Sequence, residues 1–119
     1  MTDSEQMAIS DEKDVLRGVL AALDPFRKLR ETMPLQYVRA FILVATEEGL
    51  SVGEYARRAR IAPALMTRHL ADLGTTNRYH EAGFGLVEQF YDAMDKRVRL
   101  IRLSAAGKRI VGVMVRAAG

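Results

Sequence analysis

The sequence predicts a mainly α-helical domain with one small β-hairpin, an α+β fold. Apolar residues recur at spacings of three and four over most of the chain, which is the period of amphipathic helices. Residues 86–103 break this period, because two runs rich in β-branched and aromatic residues flank a charged segment there. The chain has 119 residues, about the length of one domain, so we expect a single hydrophobic core.

The N-terminal part is predicted to be a tail followed by a helix. Residues 1–10 are polar and acidic and are expected to form a flexible tail. Helical periodicity then covers residues 11–33. Pro25 lies inside this segment, where a proline removes a backbone donor and clashes with the preceding turn. We therefore expect a kink or a break near Asp24.

Capping residues delimit a second helix and a short third one. Pro34 takes a first-turn position that prolines favour, and the second helix is predicted to stop at Gly49. Ser51 and Glu54 have the spacing of a capping box, which predicts a short helix that continues to Ala59.

A fourth helix follows after a tight turn at residues 60–62. Pro63 starts this helix and Gly74 ends it. Two short helices that flank a three-residue turn have the spacing of a helix-turn-helix, so we predict this motif at residues 51–73. The second helix of such a motif can lie in the major groove of DNA.

The C-terminal part completes a recognisable layout. After an aperiodic loop at residues 74–85, the hairpin occupies residues 86–103, and Ser104 is placed to cap a last helix at residues 104–118. The predicted elements follow the order of a winged helix-turn-helix: helix, helix, short helix, turn, helix, hairpin, helix. The hairpin is the wing of such a fold. Residues 11–119 are therefore predicted to form one such domain.

Positive charge is concentrated in the second half of the chain. The net charge is +3, but residues 1–56 carry six Lys or Arg against ten Asp or Glu, a net of −4. Residues 57–109 carry eleven against five, a net of +6, and nine of the eleven are Arg, which is suited to phosphate and guanine. A solvated basic face is the alternative explanation.

Three segments, in this order, resemble the MarR family of bacterial regulators. They are IAPALMTRHLADL within residues 51–73, then GLVEQFYDAMDKR, and then LIRLSAAGKRI; the resemblance spans residues 34–110. In the family, a Gly followed by Leu-Val opens the wing, an Asp-containing turn with Arg forms its tip, and a Leu-Ser-x-x-Gly step begins the next helix. The resemblance implies a winged-helix regulator of transcription that binds duplex DNA.

The expected DNA contacts lie on the helix-turn-helix and the wing. Met66, Leu70 and Leu73 must face the core, which directs the opposite face of their helix toward the groove. Arg68 on that face is the best candidate for a guanine contact; a contact to phosphate alone, or a pair with Asp72, is the alternative. The full expected set is Ser51, Arg57, Arg58, Arg60, Pro63, Ala64, Leu65, Thr67, Arg68, Lys96, Arg97 and Arg99.

Arg97 resembles the wing arginine of the family, which reaches into the minor groove, where narrow A·T-rich sequence concentrates negative potential. Lys96 is expected to assist it. In the alternative explanation, Asp92 or Asp95 holds Arg97 to fix the turn, and both roles can coexist.

The remaining expected contacts fix position rather than read sequence. Arg57, Arg58 and Arg60 are suited to the phosphates that flank the groove, although simple solvent exposure explains them equally well. Ser51 is expected near backbone N–H groups at a helix start, which can bind a phosphate.

A homodimer is expected, because the first and last helices carry more apolar surface than a small winged helix can cover. Residues 11–33 and 104–118 are the predicted interface, and a two-fold dimer fits palindromic half-sites. The expected interface residues are Leu16, Val19, Leu20, Leu23, Phe26, Ile110, Val113 and Met114.

Metal and catalytic sites are not expected. Cysteine is absent, and the two histidines, His69 and His80, are eleven residues apart, so neither suggests a metal site; His69 is expected to pack or to hydrogen-bond. No catalytic motif is present, which excludes an enzyme, and no cofactor is expected. An effector, if one binds, is expected to be a small apolar or aromatic molecule near the first helix.

The leading hypothesis is a repressor that acts by occupying its operator. It is expected in a bacterial-type cytoplasm, without membrane contact, since the N-terminus is acidic and no run of eighteen apolar residues occurs. The alternative is a winged-helix interaction or assembly module of a replication, partition or antirepressor protein, whose Arg-rich face binds an acidic partner.

Overall fold

A computed structural model describes residues 3–75 and 81–119, with side chains from residue 11 onward. The described part contains five helices and one three-stranded sheet, which confirms the expected α+β class. In chain order the elements are α1 (Asp3–Leu29), α2 (Leu35–Thr46), β1 (Leu50–Ser51), α3 (Val52–Ala59), α4 (Pro63–Leu73), β2 (Val87–Tyr91), β3 (Arg99–Leu103) and α5 (Ala105–Ala118).

Helix α1 is longer and more continuous than the sequence predicts. It begins at Asp3, so residues 3–10 are helical instead of forming a flexible tail. Acidic residues near a helix N-terminus stabilise it through the helix dipole. The helix also passes Pro25 without a break, which corrects the expected division. Ala22 and Phe26, on either side of the proline, are both buried, and this packing holds the helix together despite the missing hydrogen bond.

The core lies between α2, α3, α4 and the sheet. Phe26 of α1 reaches into it, where its ring meets Phe41 of α2 edge-on with centroids 5.3 Å apart. Tyr55 of α3 is fully buried; its hydroxyl donates to the carbonyl of Glu47 at 2.7 Å and accepts from the N–H of Leu50 at 3.3 Å. Burial raises the pKa of Tyr55, so the hydroxyl keeps its proton and remains a donor.

The predicted caps of α3 and α5 are confirmed. The Ser51 hydroxyl accepts from the N–H of Glu54 at 3.3 Å, and Ser104 accepts from the N–H three residues later at 3.0 Å. The carboxylate of Glu54 bonds to Arg57, so only half of the capping box forms. Helix α3 ends at Arg60, whose φ of 59° is left-handed and turns the chain toward α4.

The antiparallel sheet has the strand order β1-β3-β2. Strands β2 and β3 form the predicted hairpin, whereas the two-residue strand β1 was not predicted. Val87 pairs with Leu103 and Tyr91 pairs with Arg99. Because side chains alternate between the two faces, Val87, Gln89 and Tyr91 share one face of β2. This face is buried at Val87 and exposed at Tyr91, so it begins in the core and continues outward along the wing.

Helices α1 and α5 cross at close range. A Cβ placed on Gly18 of α1 would lie 2.6 Å from the carbonyl oxygen of Ala117 in α5. Only glycine fits at this crossing without a shift of one helix.

Candidate nucleic-acid interface

The outward face of α4 consists of the residues that were expected there. Pro63, Ala64, Leu65, Thr67 and Arg68 are all exposed, and Met66, Leu70 and Leu73 are buried. The hydroxyl of Thr67 donates to the carbonyl of Pro63 at 2.9 Å, which leaves its oxygen as an exposed acceptor. The helix therefore presents one large cation among small and medium side chains.

His69 is buried on the opposite side of α4. Its ring lies edge-on to Tyr37 of α2, with centroids 5.1 Å apart, so the expectation that it packs is confirmed. Tyr37 also donates a hydrogen bond from its hydroxyl to the carboxylate of Asp72. This bond joins α2 to the C-terminal half of α4 and fixes how the exposed face is presented.

The expected alternative pairing of Arg68 does not form. Asp72, one turn later, takes its hydrogen bond from Tyr37, and Arg68 makes no ion pair with any residue in the parts of the chain described here. The guanidinium is exposed to solvent. Its five donors are consequently available to a ligand.

Two of the three arginines around the end of α3 are paired at the surface. Arg57 bonds to Glu54, and Arg58 bonds to Glu47 at 2.6 Å. Pairs as exposed as these contribute only about 0–1 kcal/mol, so a phosphate can replace the carboxylate at small cost. Arg60 is exposed at the left-handed turn that leads into α4.

The tip of the wing is held by two aspartates. Asp92 accepts from the N–H of Met94 at 2.8 Å, and Asp95 accepts from the N–H of Arg97 at 3.1 Å. Asp95 also pairs with the Arg97 guanidinium, from Nε at 3.1 Å and from Nη2 at 3.3 Å, which lowers the pKa of that carboxyl. The expected alternative, an Arg97 held by an aspartate, is therefore present. The Arg97 side chain is nevertheless 92% exposed and can still meet a ligand.

The two faces of the wing differ. On one face Arg102 lies over the ring of Phe90, 4.7 Å from its centroid, and bonds to Glu88 at 2.8 Å. The other face carries the exposed pair Tyr91 and Arg99. Tyr91 was not among the expected contacts, although strand periodicity alone places it two residues beyond Gln89 on that face.

The start of the wing lies next to the end of α4, although the loop that connects them is long. The N–H of Phe84 donates to the carbonyl of Asp72 at 3.0 Å, and that of Leu86 donates to Leu73 at 2.8 Å. A Cβ on Gly83 would lie 2.1 Å from the Gly74 carbonyl oxygen, so glycine is needed where the loop returns. Residues 76–80 of the predicted loop lie outside the described residues.

The expected dimer surface is exposed, with one correction. Leu16, Val19, Leu20, Leu23 and Val113 are 40–68% exposed, whereas Ile110 and Met114 are partly buried against the core. Phe26 is only 2% exposed, because it points toward Phe41 instead of outward. It belongs to the core of the single chain and is removed from the expected interface.

Other types of site find no support in the described segments. Among the side chains of residues 11–75 and 81–119, no group of three or more His, Cys, Asp or Glu is arranged to hold a metal ion. No helix in those segments has both the length and the apolar character needed to cross a membrane.

The helix-turn-helix of α3 and α4, followed by the β2–β3 wing and flanked by α1 and α5, gives this chain the fold seen in structures of MarR-like winged-helix regulators. RV1404 from Mycobacterium tuberculosis is similar at 12% identity and a TM-score of 0.69, over 97% of this chain and 70% of that one. A MarR-like transcriptional regulator from Thermotoga maritima is similar at 20% identity and a TM-score of 0.66, over 98% and 76%.

A mutant of Escherichia coli MarR complexed with operator DNA is similar at 16% identity and a TM-score of 0.63, over 98% of this chain and 73% of that one. At such identities the likeness establishes the fold. No protein-family model matches the sequence. No curated protein matches it either.

Proposed function

We propose that this chain is a sequence-specific regulator of transcription that binds double-stranded DNA, a homodimeric repressor of the bacterial cytoplasm without catalytic activity. The observation that carries the proposal is the exposed Arg68 on α4, which has no ion-pair partner in the described residues. Arg97, exposed at the tip of the wing, adds a second cation. The likeness to a MarR structure that contains operator DNA supports the same partner.

In this proposal α4 enters the major groove and the wing reaches the neighbouring minor groove. The major groove is about 12 Å wide and admits a helix, and an arginine that bonds two acceptors of guanine discriminates by about 1–3 kcal/mol. Ala64 and Leu65, on the same face, are suited to thymine methyl groups. Arg97 at the wing tip is suited to a narrow minor groove, where the potential is most negative.

The arginines on and after α3 contribute affinity instead of sequence discrimination. Arg57, Arg58 and Arg60 are exposed. When such side chains neutralise phosphates, each contact changes the slope of log affinity against log salt by about −0.9. Replacing any one of them is expected to weaken binding to all duplexes alike.

The dimer is proposed to form through α1 and α5. The exposed aliphatic residues of α1 form a continuous strip, and α5 adds Val113, 41% exposed, and Val115, 63% exposed. Covering such a surface with its own copy gives the two-fold interface that most homodimers use. Sedimentation equilibrium of the full chain measures the state; a monomer at micromolar concentration would contradict this part of the proposal.

A small apolar or aromatic effector is proposed for an open cleft of about 570 Å³ between α1 and α2. Leu20, Leu23, Phe26, Met33 and Val38 supply its apolar lining. This volume is within the usual range for small-molecule sites, about 300–1,000 Å³. A thermal-shift panel of phenols tests the proposal, and an unchanged melting temperature for all of them counts against it.

The proposed function is tested by titrating fluorescent duplex pools, which include the promoter region upstream of the protein's own gene, at two salt concentrations. We expect salt-sensitive binding to a subset of sequences. Arg68→Ala and Arg97→Ala are expected to weaken binding to that subset. Arg30→Ala, an exposed arginine just after α1 and outside the expected contact set, serves as the control. Absent binding, or equally weak binding to every duplex, would instead favour an interaction module with an acidic partner.

A further inference from the structure

A cleft of about 280 Å³ separates α4 from strand β2 of the wing. Leu70 and Ala71 line it from α4, Val87 and Gln89 line it from β2, and Thr75 lines it from the segment after α4. Gln89 and Thr75 are exposed, so their polar groups are accessible from solvent. The sequence indicates only Ala71 of these residues for the groove-facing side of α4; the others were not expected to contact DNA.

The cleft lies between the two parts that the proposed function assigns to DNA. Ala71 is four residues after Thr67 and three after Arg68, so it extends the outward face of α4. On the strand side, Gln89 shares its face with Tyr91, which is 60% exposed and pairs across the hairpin with Arg99. A row of polar side chains therefore runs from the cleft along the wing.

We propose that this cleft seats the sugar–phosphate backbone of one strand of duplex DNA. The inference rests on the proposed function: if α4 occupies the major groove and the wing occupies the next minor groove, the backbone between those grooves must pass between α4 and β2. The amide of Gln89 and the hydroxyl of Thr75 donate hydrogen bonds to its phosphate oxygens. Tyr91 and Arg99 continue the contact toward the wing tip, and Arg99 supplies the positive charge.

The acidic residue beside the cleft does not oppose an anion there. Glu88 also borders the cleft, but its carboxylate accepts from Nε of Arg102 at 2.8 Å. It alternates with Gln89 along β2, so its side chain belongs to the other face of the hairpin. The ion pair with Arg102 compensates the negative charge of Glu88.

Gln89→Glu tests the cleft, because it keeps the shape of an exposed side chain and replaces a donor with a negative charge. We expect about a tenfold loss of affinity, since a hydrogen bond to a charged group is replaced by repulsion. The loss should be equal for preferred and mixed-sequence duplexes, because phosphate contacts carry no sequence information. Gln36→Glu on α2, outside the cleft, is the control with the same charge change; its side-chain oxygen already accepts from Arg39 at 2.6 Å, so the new carboxylate keeps a partner. Neither variant should melt below the wild-type temperature.

A duplex with single methylphosphonate substitutions gives a second readout that does not depend on a new charge. The wild type should lose affinity when the phosphate between the two grooves is neutral, and Gln89→Ala should be insensitive to the same substitution. If Gln89→Glu binds like the wild type while the wild type binds DNA, the cleft inference is wrong and the proposed function stands. If the wild type binds no duplex, both are wrong.

Discussion

Helices α1 and α4 both expose apolar side chains, but of different kinds. Helix α1 presents large aliphatic residues such as Leu16 and Leu20, 67% and 68% exposed, in a continuous strip. Helix α4 surrounds Arg68 with Ala64, Thr67 and the less exposed Leu65, at 38%. An aliphatic strip gains most from another aliphatic strip, whereas small residues around a cation allow close approach to a charged, hydrated surface.

The comparison shows that exposure alone does not distinguish a DNA surface from a dimer surface. The two surfaces differ in the size and charge of the side chains that each helix leaves exposed. On α1 the stripe that packs against the rest of the chain consists of Gly18 at the α5 crossing, Ala22 and Phe26, so the larger aliphatic residues are left outside. On α4 the large residues Met66, Leu70 and Leu73 fill the core, and the outside is left to smaller side chains and the arginine.

The largest effect is expected from the double variant Leu16→Asp/Leu20→Asp. Each leucine occurs twice in a two-fold interface, so we expect the dimer to lose at least ~4 kcal/mol, roughly a thousandfold in its Kd. Sedimentation velocity should show a monomer. Far-UV circular dichroism should show unchanged helical content, because both side chains are exposed in the single chain. A variant that remains a dimer would remove α1 from the interface.

Gly18→Ala tests the contact between α1 and α5 within one chain. The added Cβ meets the Ala117 carbonyl oxygen, so α1 and α5 must shift, at a cost of ~1–3 kcal/mol of folding free energy. The matched control is Gly53→Ala in α3, where the nearest atom to an added Cβ is the Ser51 hydroxyl oxygen at 3.9 Å. That control should stabilise the chain slightly through helix propensity. Thermal unfolding that ranked the two variants in the opposite order would contradict the close crossing.

A leucine-to-aspartate change on α4 should weaken DNA binding and leave the dimer intact, the reverse of what we expect for the double change on α1. Leu65→Asp puts a carboxylate on the face assigned to the major groove, and we expect DNA affinity to fall about tenfold through repulsion by phosphates. The dimer Kd should not change. If Leu65→Asp dissociated the dimer, or if the α1 double variant affected DNA binding without affecting the dimer, the assignment of the two surfaces would be wrong.

The smallest effect is expected at the wing tip. The pKa of Asp95 is lowered by its bonds to Arg97, so the stability it contributes is present above the usual carboxyl pKa, about 3.9, and is lost as pH falls through the lower folded value. Near neutral pH this contribution is fully present, so stability should not vary with pH there through this pair. Asp95→Asn frees Arg97 and removes a negative charge, so all duplexes should bind a few-fold more tightly at pH 7. Unchanged or weaker binding would show that Asp95 positions Arg97 for DNA.

Much of the fold follows from local signals in the sequence. Ser51 and Ser104 cap helices because a hydroxyl near free N–H groups satisfies them whatever the rest of the molecule does. The hairpin and the inward stripe of α4 follow from the periods of strands and helices. These features depend on neighbours a few residues away, which is why they can be predicted without a tertiary structure.

Other features depend on contacts between distant residues and could not be predicted. The continuity of α1 through Pro25 depends on the burial of Phe26 against Phe41 of another helix. Among the described residues Arg68 makes no ion pair, and Asp72, its expected partner, instead accepts a hydrogen bond from the hydroxyl of Tyr37, thirty-five residues away.

The sequence by itself determined the elements, their order and the cationic character of α4 and the wing, since periodicity, caps and charge are local properties of the chain. Only the tertiary structure decided that Phe26 is core and not interface, that the returning loop sets the wing directly against α4, and that Gln89 and Thr75 border a common cleft. The physical reason is that which face of an amphipathic helix or strand is covered depends on the shape and closeness of its neighbours, and packing alone sets these.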